Sequence, residues 1–277
     1  MVAQRPWLLV GKGLVHWGMA VCTRAFAACF AGALCLSAWA APNPAAASPI
    51  EPDTVLRMGV SQSWAMPFAR YANGQLKGGI LLDLGQELAT RLNLQLRVLV
   101  MPPKRVEAML QAGEVDLHCL VSPKWLLQEL PPGRWTEPLL RMDDVLLAPA
   151  KHPGAELDLS QVRGASVGLV ISYLYPALDE ALTSGRLRRE DASTQAQVFE
   201  KMLRGRSDFG VSNRLIAEWF NKQHVAAERL KILQTLASLD TACALAPEPS
   251  QDPARIKAVL RQMLAEGVVE KILRRYR

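Results

Sequence analysis

Apolar and polar positions along the chain switch between two periods, and the switches mark the elements. The run TVLRMGV (54–60) reads as a short strand. In GGILLDLGQELATRLN, the residues Ile80, Leu81, Leu84, Leu88 and Leu92 follow the three-four spacing of a helix face. LQLRVLV (94–100) alternates like a strand. A short helix over 104–111 follows Pro102-Pro103, where proline suits a first turn, and Gly113 can cap its end. Residues 115–121 form another strand. This β-α-β-α-β order predicts a parallel sheet flanked by helices. The second half repeats the style, with strands over 165–170 and 209–212. Its helices are expected over 176–184, 194–203, 213–222, 251–265 and 267–275. Two extended apolar stretches, MDDVLLAP (142–149) and TACALA (241–246), suit crossings between two lobes. A short echo joins the halves. MLQAGEVD (109–116) and MLRGRSD (202–208) both read as helix end, Gly turn, Asp, strand.

The N-terminus has no such periodicity. AFAACFAGALCLSAWA (25–40) carries no charge, stands behind Arg24 and ends in Ala38-Trp39-Ala40. A basic flank, an apolar run and an A-x-A end describe a secretory signal peptide. The run is shorter than the about 20 residues a membrane span needs. Residues 1–40 are therefore expected to be removed, leaving 41–53 (APNPAAASPIEPD) as a flexible lead on a soluble periplasmic protein. Met19 is an alternative start, and an uncleaved anchor is the competing reading. The net charge of +6 shrinks accordingly, because Arg5, Lys12 and Arg24 lie in the leader without any acid. The small excess that remains is no dense basic face, so a nucleic-acid partner is not expected. Five cysteines reduce to Cys119 and Cys243, and the count alone leaves either a disulfide or two buried thiols. His118, His152 and His224 lack zinc-site spacing. No P-loop, G-x-S-x-G or dinucleotide fingerprint is present, so neither metal nor cofactor is expected.

The order of motifs adds a resemblance. A strand ending in Gly59-Val60 leads to a loop with Trp64 and Tyr71, then GQLKGG (74–79) and Asp83-Leu84 on a helix. MLQAGEVDL, Ser122-Pro123 and Trp135-Thr136-Glu137-Pro138-Leu139 follow. This order resembles the family 3 periplasmic solute-binding proteins of the polar amino-acid-binding type. LSQVRGASVG (159–168) matches that family's passage into its second lobe, and LRGRSD (203–208) its second helix-to-strand turn. The likeness spans about 54–275. It implies an α/β fold of two lobes, each a mostly parallel sheet flanked by helices, joined by two hinge crossings. Lobe 1 would hold 54–145 and 244–277, and lobe 2 would hold 146–243. It implies a monomer that captures a small solute between the lobes for a membrane importer or a sensor, without catalysis. It also brings the strand of Cys119 near the returning segment of Cys243, which implies a disulfide between them.

The ligand anchors depart from the resemblance. Amino-acid-binding members carry T-x-x-R after the third strand, where the arginine grips a carboxylate with a bidentate fork. Here the stretch is Ser122-Pro123-Lys124-Trp125, and a lysine one position early is a poor substitute. The second-lobe aspartate that takes an ammonium falls at Asn213. The expected ligand-binding residues are therefore aromatic and polar: Trp64, Ser122, Trp125, Ser172, Tyr173, Tyr175 and Asn213. Arg189, in the basic cluster of Arg186, Arg188 and Arg189, is added as a possible anion contact. Such walls suit flat, amphipathic or cationic ligands. Two alternatives stand beside solute capture. One is an enzyme resembling the periplasmic cyclohexadienyl dehydratases, with Glu137 as the nearest candidate acid. The other is an interaction module with an empty cleft.

Overall fold

A computed structural model describes residues 54–126 and 128–277. The segments read as signal peptide and lead, 1–40 and 41–53, lie outside the described residues. The first half opens with β1 (Val55–Ser61), a hairpin of β2 (Arg70–Ala72) and β3 (Gln75–Gly78), and α1 (Ile80–Leu92). Next come β4 (Gln95–Met101), α2 (Pro103–Gln111), β5 (Leu117–Val121) and β6 (Leu140–Pro149). The second half holds β7 (Ala165–Val170), α3 (Asp179–Thr183), β8 (Leu187–Ala192), α4 (Gln195–Leu203), β9 (Phe209–Asn213) and α5 (Arg214–Gln223). The long β10 (Leu230–Leu245), α6 (Pro253–Ala265) and α7 (Val268–Arg274) complete the chain.

Eight strands form one sheet in the order β4-β1-β5-β10-β6-β9-β7-β8. β1 runs parallel to β4 and β5, and β7 runs parallel to β8 and β9. Between these parallel halves lie β10 and β6, antiparallel to each other and to their outer neighbours. Both cross from one half to the other, as MDDVLLAP and TACALA suggested. β1 is apolar on both faces because helices cover it, the pattern of a buried parallel strand. Leu84 and Leu88 of α1 pack into the same core as Leu260 of α6 and Ile272 of α7. A smaller core of Leu169, Leu178 and Phe209 serves the second half.

The echo between the halves is a structural repeat. In the first, the Arg57 backbone N–H donates to Asp116 Oδ2 at 2.7 Å, and the Asp116 N–H returns a bond to the Arg57 carbonyl at 2.8 Å. In the second, the Ser166 N–H donates to Asp208 Oδ2 at 2.7 Å, and the Asp208 N–H returns to the Ser166 carbonyl at 3.1 Å. Each aspartate thus follows a Gly turn and pins the first strand of its half. Cys119 and Cys243 are bridged, as register partners across β5 and β10. The implied disulfide is therefore present.

Three features differ from the sequence reading. β10 begins at Leu230, well before 241, because register shifts at Ile232/Gln234 and Thr235/Ala237 break the period-two pattern. Arg188 and Arg189 lie exposed on β8, a strand the sequence did not show, at an edge of the sheet where charged side chains are tolerated. The hairpin of β2 and β3 turns through Asn73 and Gly74, both with positive φ, and is too short to show a period. Among the described residues no helix is long and apolar enough to cross a membrane.

Candidate functional site

A cavity lies where strand ends from both halves of the sheet meet, the usual ligand position in open α/β sheets. Its space open to the centre of a water-sized sphere is about 60 Å³. That holds a handful of waters at about 10–15 Å³ each. The first half contributes Ser61 and Trp64 at the end of β1, His118 and Leu120 of β5, and Trp125. The crossing strand β6 contributes Asp144. The second half contributes the loop Ser172–Tyr175, Gln195 at the start of α4, and Ser212 and Asn213 at the end of β9.

The halves touch directly over this space. Ser63 Oγ and the Tyr173 hydroxyl are 2.7 Å apart, and Ser63 Oγ also meets Ser61 Oγ at 2.6 Å. The Gln195 N–H donates to the Ser63 carbonyl at 3.0 Å. Tyr175 is held from behind, its hydroxyl accepting the Val170 N–H at 3.0 Å. Two residues with left-handed backbone, Leu120 (φ 57°) and Ser172 (φ 69°), line the cavity. Such conformations cost about 1–3 kcal/mol each for a residue with a side chain and cluster at ligand clamps.

Of the residues expected from sequence, Trp64, Trp125, Ser172, Tyr173, Tyr175 and Asn213 line the cavity. Trp125 ends a 3-10 turn, Pro123–Trp125, that follows β5. Ser122 is buried just before that turn, its carbonyl accepting the Trp125 N–H at 3.0 Å, and its side chain is not part of the lining. Arg189 also lies outside the lining. Its Nε donates to Asp191 Oδ1 at 2.6 Å, and its guanidinium sits 5.7 Å from the centre of the Tyr175 ring. The acid that follows it in sequence therefore holds it on the sheet edge. Glu137, the candidate acid of the enzyme reading, is exposed and paired with Arg261 at 2.8 Å.

Glu107 of α2 lines the cavity, and so does Asp144 of β6. Burial pushes its carboxyl up to about 7, the neighbouring Asp143 charge pushes the same way, and the Trp125 side chain partly offsets both by hydrogen bonding. Asp143 points to the other face, where Arg214 Nε donates to it at 3.2 Å and Ser238 Oγ at 2.6 Å. The alternation of two adjacent acids in an apolar crossing strand was a usable signal that the sequence reading passed over. His118 was missed as a cleft residue too. Its Nδ1–H donates to the Gly59 carbonyl at 3.0 Å, and burial pushes its pKa down to about 4, so it is neutral at pH 7. Adjacent Cys119 faces away into the bridge. Among the described residues no group of three His, Cys, Asp or Glu is arranged to hold a metal ion.

Three buried polar atoms of the lining have no hydrogen-bond partner: Gln195 Oε1, Ser212 Oγ and Asn213 Nδ2. Their residues are 5%, 2% and 5% exposed. Unsatisfied polar atoms this deep cost about 1–3 kcal/mol each unless something occupies the space they face.

The fold is that of the two-lobed periplasmic binding proteins. A mutant of ArgBP from T. maritima superposes with a TM-score of 0.67 at 19% identity, covering 82% of this chain and 96% of that one. The substrate binding protein of an amino acid ABC transporter superposes at 0.63 and 18%, covering 80% and 98%. The ancestral amino acid-binding protein AncCDT-1, a precursor of cyclohexadienyl dehydratase, gives 0.65 and 17%, covering 80% and 95%. No protein-family model matches the chain, and no curated protein matches its sequence. At such identities the likeness speaks for the fold, and the site must speak for itself.

Proposed function

We propose that this protein is exported and captures a small solute in the cavity between its halves, for delivery to a membrane importer or a sensor. The supporting observation is the set of unpartnered buried atoms on Gln195, Ser212 and Asn213, three residues that line one cavity between two sheet halves. In this reading 54–145 with 244–277 form one lobe and 146–243 the other. The lobes part by bending β6 and β10, and a solute closes them around itself, excluding water. Trp64, Trp125, Ser172, Tyr173, Tyr175 and Asn213 are its contacts. The similarity to substrate-binding proteins of amino-acid transporters agrees with capture without catalysis.

Screening by thermal shift against a broad metabolite panel tests the proposal, since a ligand at 100 times its Kd adds about 2.7 kcal/mol. Trp125→Ala is expected to weaken any hit at least tenfold while the variant remains folded. A variant that melts far lower and binds normally would make Trp125 a packing residue only. N-terminal sequencing of exported protein is expected to begin near Ala41, and a start upstream of residue 30 would show that the cleaved signal-peptide reading is wrong.

The carbon–oxygen lyase alternative is favoured by one feature, a cavity acid that can hold a proton at pH 7. Asp144 fits the acid better than Glu137 does. The same chemistry needs donors for substrate carboxylates, and no Arg or Lys lines the cavity. Prephenate and arogenate turnover abolished by Asp144→Asn would establish the enzyme.

A further inference from the structure

The chemical class of the solute is written in which charges the cavity has and which it lacks. Its lining includes two carboxylic acids, Asp144 and Glu107, and no lysine or arginine. Lys124 instead borders an adjoining space of about 140 Å³ that shares Trp125, Asp144 and Tyr175 with the cavity. A ligand carboxylate therefore meets no cationic side chain there.

Helix N-termini are the other common partners of a bound anion, and at the three that open at this cavity some of the first-turn N–H groups are already taken or missing. α2 begins with Pro103, which lines the cavity and has no N–H to give. At α4 the Gln195 N–H is taken by the Ser63 carbonyl, and the Gln197 N–H by Thr194 Oγ1 at 3.2 Å. At α5 the Leu215 N–H is taken by Asn213 Oδ1 at 3.0 Å.

What remains suits positive charge. Two of the three unpartnered atoms, Gln195 Oε1 and Ser212 Oγ, can accept an N–H. The neutral His118 ring, donating through Nδ1, keeps Nε2 as an acceptor. Two indoles and two phenols line the space, and the faces of such rings attract cations, more strongly when desolvated. The third unpartnered atom, Asn213 Nδ2, is a donor and calls for one neutral acceptor on the ligand, such as a hydroxyl or carbonyl oxygen.

We propose that the cavity takes a small amphipathic organic cation, an amine or quaternary ammonium without a carboxylate, with Asp144 as its counterion and the rings of Trp64, Trp125, Tyr173 and Tyr175 as its walls. The inference rests on the solute-capture reading above. It separates this chain from any binder of free amino acids, which must hold a carboxylate as well as an ammonium. It also explains why a carboxylic acid stands on a buried crossing strand: the ligand's charge offsets the cost of ionising it.

Matched pairs decide it. Tyramine with tyrosine, tryptamine with tryptophan and agmatine with arginine are titrated into the mature protein by calorimetry, together with phenethyltrimethylammonium. At least one cation is expected to bind ten or more times tighter than its amino-acid or neutral counterpart. Asp144→Asn is expected to remove at least tenfold of that affinity, with an unchanged circular dichroism spectrum showing that the variant is folded. Near pH 7 binding should release protons, read from titrations in two buffers of different ionisation enthalpy, and affinity should rise from pH 6 to pH 8. His118, near 4, stays neutral across that range, and the Tyr173 and Tyr175 hydroxyls are raised and stay protonated. The other charges near Asp144 are Asp143 with its Arg214 partner, Glu107 and Lys124. Tighter binding of the amino acids, or undiminished cation binding by Asp144→Asn, overturns the cation assignment while leaving solute capture standing. No binding of any compound in this set or in the broad panel overturns both.

Discussion

The Tyr173 hydroxyl lies 2.7 Å from Ser63 Oγ, joining a loop of the second half to the loop that follows β1 in the first. In the proposed lobe closure this contact would help hold the halves together, and Ser63 makes it without lining the cavity. Ser63→Ala therefore probes closure without touching ligand contacts. Losing one such bond costs about 0.5–1.5 kcal/mol, and the phenol keeps its contact with the Ser61 side chain. Ligand affinity is expected to fall about three- to tenfold, with a larger radius of gyration for the unliganded variant in small-angle scattering. Unchanged affinity and radius would show that the contact does not govern closure.

Asp144 sets a pH dependence of stability. Its folded pKa, about 7, lies above the ordinary carboxylate value. The folded state therefore binds this proton more tightly than the unfolded chain does. The stabilisation is fully present at pH below the ordinary carboxylate value and is lost as pH rises through about 7. Asp144→Asn removes the buried charge. Without ligand, the variant should melt about 2–6 °C higher than the parent at pH 8 and close to it at pH 4. An equal difference at both pH values would show that ionisation of Asp144 is not responsible.

Asp116 carries the opposite sign. Burial alone would raise its pKa, but hydrogen bonds from the Arg57 side chain and backbone and from Ser250 outweigh burial and hold it below the usual carboxylate value. Its contribution is present at neutral pH and is lost as pH falls through that depressed value. The carboxylate has no exposure and four donors within 2.8 Å. Asp116→Ala leaves Arg57 and the Ser250 N–H without their acceptor and should cost about 3–5 kcal/mol in urea denaturation. Asp208, which serves the same turn with only Ser166 as partner, should cost about 1–2 kcal/mol when replaced by Ala. Equal losses at the two sites would contradict the ranking.

The Cys119–Cys243 bridge spans 124 residues of sequence, including every strand of the second half. Closing so long a loop is worth about 4–5 kcal/mol in the chain-entropy model, and native bridges commonly contribute about 2–5. The double variant Cys119→Ala, Cys243→Ala should therefore lose about 2–5 kcal/mol of stability. The unfolded, unreduced mature protein should show no reactive thiol. Two reactive thiols per chain would refute the bridge.

Most helices were legible along the chain because their signals are local. Leu81, Leu84 and Leu88 show the period of α1, Pro103 marks the start of α2, and the Gly turns before Asp116 and Asp208 end α2 and α4. β8 and most of β10 were not legible, because an edge strand tolerates charge and a strand with register shifts loses its alternation.

The aromatic half of the site, Trp64, Trp125, Tyr173 and Tyr175, could be named from sequence because each follows a strand end in a loop rich in rings. The acids of the lining could not. Whether an acid faces a cavity or solvent depends on which side of a paired strand it takes, and the sequence places Asp143 and Asp144 side by side without distinguishing them. The pairing of β6 with β9 and β10 turns Asp143 toward Arg214 and Asp144 into the cavity. Arg189 is the converse case: its sequence neighbours suggested a ligand contact, but pairing with β7 puts it on an edge beside Asp191. The order and type of most elements, the two crossings and the two cysteines available for pairing were determined by the sequence alone, because local periodicity, turn chemistry and residue counts carry them. The cavity's charge was decided only by tertiary structure, because the face each acid of β6 presents is fixed by pairing with β9 and β10, strands distant in sequence.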